Sequence, residues 1–197
     1  MSALRAAVVI GFATLLESIR SRVLLTALAF ALVLIGLSVS AASVSMGERS
    51  RLIIDVGFAA ASALGTVIAV ALTITSFARE LERRTAYPVL VRPLPRWAFV
   101  LGKYLGLWTT MTLVTTLMLL ATFATVLSYG ASLPQAALPA LCLSALEMGV
   151  VVAVALLFST FATPVLAATY SLALLVAGNL SVEIARLATR LLRDDAT

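Results

Sequence analysis

The chain of 197 residues contains no histidine and one cysteine, Cys142. A lone thiol cannot close an intrachain disulfide, and without His or a second Cys the usual zinc ligand sets are out of reach. The missing imidazole also removes the commonest general base of hydrolases. Charge is scarce: 12% of the residues are Asp, Glu, Lys or Arg, about half the ~25% of an ordinary soluble domain. No G-x-x-x-x-G-K-[ST] phosphate loop is present, since Gly102-Lys103 is followed by Tyr104 and has no glycine five positions upstream. The formal net charge of +5 sits at the ends of apolar runs, where membrane topology accounts for it, so nucleic acid is not an expected partner.

What fills the chain instead is apolar. Hydrophobic residues make up 62% of it and the mean hydropathy is +1.11, which points to an all-α integral membrane protein in a single domain over residues 1–197. A spanning helix needs roughly 20 apolar residues. Spans are expected at about 23–45, 56–78, 99–127, 138–159 and 164–178, five in all, with Thr163-Pro164 dividing the long final run. Residues 1–22, with Arg5, Glu17, Arg20 and Arg22 at the ends of a moderately apolar core, read as an interfacial helix and not as a signal peptide. Residues 181–193 form an amphipathic tail: Ile184, Leu187, Ala188 and Leu191 lie on one face, opposite Glu183, Arg186, Arg190 and Arg193.

Within the spans, a few side chains depart from the apolar background. Gly57, Ala61, Gly65 and Ala69 repeat every four residues and line one face, which lets another helix approach closely, from this chain or from a second protomer. Thr109, Thr112 and Thr116 share a face, with back-bonding to the preceding turn as their expected role. Trp97, Tyr104 and Trp108 suit an aromatic belt at the membrane surface. Glu147 falls near the middle of the fourth span, where a carboxylate is costly and marks a functional or packing site. Lys103 is counted with the polar stretch although it falls at the start of the 99–127 run. No Lys or Arg is then left within a span to pair with Glu147, and a hydroxyl such as Thr112 or Thr116 is the expected partner.

That polar stretch, from Arg79 to Lys103, is the one long interruption of the apolar runs and carries six cations and three of the six prolines. With the N-terminus and residues 79–97 on the cytoplasmic side of the inner membrane, that side holds nine Lys/Arg. The loop between the first two spans then holds two, Arg49 and Arg51, as the positive-inside rule requires. Residues 79–84 form a short helix candidate, with Glu80 four residues before Arg84, and Pro88 ends it. On these residues alone, a groove-docking element and a solvated loop pairing with lipid phosphates fit equally well.

The pattern Glu80-x-Glu82-x-x-Thr85, followed by Leu90, Pro93, Arg96 and Gly102-Lys103, resembles the loop between the second and third spans of type-2 ABC exporter permeases. The nearest likeness is to the subgroup containing the permease of the nitrous oxide reductase maturation system. Glu17-Ser18-Ile19-Arg20-Ser21-Arg22 is similar to that subgroup's entry to the first span. The resemblance implies a permease subunit that pairs with a second permease, identical or not, and with ABC ATPase subunits that hold the ATP and Mg. Glu80, Glu82, Arg83, Arg84 and Thr85 would then dock on the ATPase, while Leu90, Pro93 and Arg96 lock the loop to the third span. The chain departs from the pattern at Pro88 and Pro95, and a sixth span, which would bring the tail back to the cytoplasmic side, has no counterpart before Thr197. No catalytic, cofactor or metal residue is expected in the chain itself. The rival expectation is an ATP-independent carrier or scaffold with Glu147 as a proton or packing site, although no internal repeat of the kind common in carriers is visible.

Overall fold

Backbone groups placed in hydrocarbon must satisfy one another within the segment, so each apolar run has helix as its only open-ended solution. The structure, a computed structural model, describes residues 3–21, 24–25, 29, 33, 36, 49–82, 96–128 and 137–194, with side chains of the long helices placed over 53–78, 97–128 and 137–181. Five helices are described: α1 Ala3–Ile19, α2 Arg49–Glu82, α3 Arg96–Ser128, α4 Ala137–Ser159 and α5 Pro164–Asp194. Four segments among them are long and apolar enough to cross a membrane, namely Ile53–Ala78, Trp97–Ser128, Ala137–Ser159 and Pro164–Ser181. The span expected at 23–45 lies almost wholly outside the described residues; Leu24, Leu25, Ala29, Val33 and Gly36 within it are helical.

The helix α3 is the hub. It packs against α1, α2 and α4, while α5 leans on α4 and α2. Half of its most apolar window is buried inside the protein, against 11% for that of α5. Leu107, Met111, Val114, Met118 and Leu119 of α3 meet Ile68, Ala69 and Leu72 of α2 and Met148, Val152 and Ala155 of α4 in one core. With lipid tails as apolar as leucine, such packing rests on close approach and shape, not on escape from water.

Close approach is where the small residues count. Gly57 faces the Thr122 side chain of α3, and a Cβ on Gly65 would stand 3.0 Å from Thr115 and 3.2 Å from Met148. Ala61 and Ala69 are buried with them, so this face is occupied by helices of the same chain. A second and tighter contact joins α1 to α3. A Cβ added to Gly102 would lie 2.6 Å from the Ala7 carbonyl oxygen, and one on Gly11 would lie 3.0 Å from the Gly102 carbonyl oxygen. Ala7 and Gly11 on one helix, and Gly102 and Gly106 on the other, are each four residues apart and interlock. The helix expected to lie at the interface over 1–22 is therefore laid along the start of the α3 span, with Val8, Val9 and Phe12 exposed on its other side.

The α4–α5 joint follows local chemistry. After Ser159 the backbone tightens, with Ala162 N–H donating to the Phe158 carbonyl at 3.0 Å, and Ala167 N–H then donates to Thr163 at 2.8 Å to open α5. Pro164 takes the first helical position, where its missing N–H costs nothing. Gly178 does not end the helix as the sequence suggested, and the amphipathic tail continues α5 without a break to Asp194. A glycine inside a helix costs only about 1 kcal/mol, too little to stop one that has apolar turns on both sides.

Candidate functional site

The polar stretch is best built from its two stems. Phe77-Ala78-Arg79-Glu80-Leu81-Glu82 contains no glycine or proline, and α2 runs through it as one piece of 34 residues. At 1.5 Å per residue that is about 51 Å, well beyond the ~30 Å hydrocarbon core. Glu80 and Glu82 therefore belong to the last turn of α2, not to a separate short helix. Arg83, Arg84, Thr85, Leu90 and Pro93 lie outside the described residues, and the second stem opens at Arg96 as α3.

What the structure brings together lies one step deeper. Lys103 is 1% exposed and sits inside the Trp97–Ser128 span, so the expectation that no cation lies within a span is corrected. Lysines near a helix end normally carry their head to the interface. Here Nζ donates instead to the Ser76 carbonyl of α2 at 3.1 Å and stands 5.7 Å from the centre of the Phe77 ring. A desolvated ammonium needs such partners: an acceptor, and a ring face whose attraction reaches about 2 kcal/mol away from water.

The second polar feature is Glu147. The Ser62 hydroxyl of α2 donates to its Oε1 at 2.6 Å, so the partner is a serine on α2 and not Thr112 or Thr116 on α3. Thr112 keeps a buried hydroxyl with no hydrogen-bond partner. Thr109 bonds back to Leu105, and Thr115 to Met111 at 2.9 Å. Beside the Ser62–Glu147 pair a cavity of about 30 Å³ is lined by Ala61, Thr115, Ser144 and Met148 among others, large enough by size for a water.

Two aromatics hold α4 on either side of this carboxylate. Trp108 Nε1 donates to the Ala145 carbonyl at 2.8 Å, and the Tyr104 hydroxyl to that of Gly149 at 3.4 Å. The rings stack at 6.0 Å, and Gly149 makes room, since a Cβ there would lie 3.0 Å from Trp108 Nε1. Tyr104 and Trp108 are thus packing anchors between helices and not part of a surface belt; Trp97 remains 52% exposed. Among the described residues no three carboxylates or thiols cluster to hold a metal.

The burial of Lys103 and the seating of Gly102 and Gly106 against α1 were not among the expectations from sequence. The four-residue glycine spacing was visible. So was a lysine seven residues past Arg96, too deep in an apolar run to be a loop residue.

Searches of curated proteins and of solved structures returned no match. The family described as ABC-2 family transporter protein matches over residues 8–196, nearly the whole chain, and nothing singles out the nitrous oxide reductase maturation subgroup. Membrane domains of this kind typically lack ATPase motifs, as this sequence does, and imply an ATPase partner. A helical chain with four membrane-crossing segments among its described residues, a mixed-charge stretch between two of them and a family match from residue 8 to 196 belongs to the ABC-2 family of transporters, as a multi-pass membrane subunit.

Proposed function

We propose that this subunit works as an exporter half, paired with a second permease and with two ABC ATPase subunits, and that residues 79–97 are its coupling element. The observation that carries this reading is the continuity of α2 from the membrane core to Glu82. A rigid helix links the stretch resembling a coupling loop directly to the packed spans, so a displacement at its end reaches the core without a hinge. On this reading Glu80, Glu82, Arg83, Arg84 and Thr85 meet the ATPase on the cytoplasmic side, and Leu90, Pro93 and Arg96 fix the return to α3. ATP-driven closure of the ATPases then rocks the spans between inward- and outward-facing states.

Charge reversal tests it. Glu82→Lys or Arg84→Glu should leave insertion intact while the ATPase no longer co-purifies with the permease. Retention of the ATPase at the wild-type level would argue against docking through this stretch.

A second reading keeps Glu147 as an intramembrane proton site of an ATP-independent carrier. The cavity beside it favours this reading, and the Ser62 hydrogen bond favours a packing role. Glu147→Gln separates them, because a proton-driven carrier loses transport and a packing carboxylate does not.

A further inference from the structure

In sequence, residues 83–95 join the end of α2 to the start of α3, and a buried side chain ties those two stems together. Lys103 Nζ reaches across to the Ser76 carbonyl at 3.1 Å, a bond between residues 27 apart in sequence that closes the segment holding the polar stretch. Phe77, the next residue of α2, offers its ring to the same ammonium. We propose that Lys103 is a clamp: it makes α2 and α3 move as one body when the polar stretch is displaced, a role that rests on the coupling reading above.

The alternative for a lysine here is a topology marker whose head lies among lipid phosphates. Its 1% exposure speaks against that. Lys103 lies six residues, about 9 Å of helix rise, inside Trp97, and its head is turned onto α2. A buried ammonium is retained only where its partners are fixed, because each partner lost leaves a charge in a medium that solvates it poorly. The clamp therefore favours one spacing of the stems over all others. Its neighbours add to this. Gly102 and Gly106 seat α3 against α1 on another face, so the start of α3 is held from two sides.

The test uses the full permease with its ATPase subunits in lipid, in a Cys142→Ala background, with nitroxide labels at the exposed positions Thr75 and Val100. In the otherwise unaltered protein the label-to-label distance should be narrowly distributed and should keep its mean when ATP binds. Lys103→Met should broaden the distribution and let ATP shift its mean, as α2 moves without α3. Lys103→Arg, which keeps charge and donors, should restore the narrow distribution. A Lys103→Met protein that stays narrow and shows no ATP-dependent shift overturns the clamp, as does one that broadens but still keeps its mean when ATP binds. Should that variant fail to insert, Lys103→Gln, which keeps a donor but shortens the reach and removes the charge, takes its place; an unchanged distribution with no ATP-dependent shift there overturns the clamp equally. Distances measured without ATPase read the clamp alone, whereas ATPase retention in Glu82→Lys reads the docking alone, so the two failures are told apart.

Discussion

Lys103 and Glu147, both inside membrane segments, are each held by a polar group on α2, and each therefore bonds helices together where it could have pointed to lipid. For Glu147 the hydroxyl of Ser62 does this at 2.6 Å. Hydrogen bonds between membrane helices contribute about 0.6 kcal/mol on average and up to about 1.7. Ser62→Ala should accordingly lower the unfolding free energy in detergent by about 1 kcal/mol. Glu147→Gln, which still accepts from Ser62, should stay within about 0.5 kcal/mol of the parent, because the net worth of one such bond is of that order. Combining Ser62→Ala with Glu147→Leu, which removes the acceptor, in a double-mutant cycle isolates the pair. A coupling near zero would show that the carboxylate owes its place to something else.

At the level of elements, glycines decide which helices touch. Gly57 faces Thr122 so closely that any Cβ must displace that side chain. Gly57→Ala should therefore cost about 1–3 kcal/mol, the usual toll of overpacking, and Thr122→Ala should recover most of it. Thermal unfolding of the single and double variants checks this. Gly106→Leu should drive α1 off α3, since the Gly11 carbonyl already occupies the space; faster proteolysis within residues 3–19 reports the loss. Gly178 has open space around it, so Gly178→Ala should be neutral or stabilising by up to about 1 kcal/mol on helix propensity alone. A destabilised Gly178→Ala would mean that a partner covers that part of α5.

For the whole molecule the open matter is direction. On the coupling reading proposed above, and by the positive-inside rule, residues 79–97 face the cytoplasm and Arg49 and Arg51 the outside. With Cys142 replaced by Ala, a single cysteine introduced at Thr85 should be shielded from a membrane-impermeant thiol reagent in intact cells, and one introduced at Ser50 should react. The reverse labelling would invert the protein and remove the coupling reading with it. The uneven burial of the helices belongs at this scale too. α3 is enclosed by its neighbours, while α5 leaves Val165, Leu174 and Val176 exposed in its apolar part.

Composition and run length alone determined that this chain is an all-helical membrane protein with long apolar helices, four of them among the described residues, and that a polar stretch separates two of them. Those features depend on the hydrocarbon solvent, which acts on each segment separately and so is legible segment by segment. The same reasoning found the small-residue face of α2 and the costly carboxylate at Glu147, because each stands out against its own run. It did not find that Ser62 is the carboxylate's partner, that Tyr104 and Trp108 brace α4, that α1 lies along α3, or that Lys103 is buried against Ser76 and Phe77. Each of those depends on which faces of two helices meet, a relation between residues 26 to 95 positions apart in the chain. Periodicity within one helix carries no record of its neighbour's rotation, and only packing sets it.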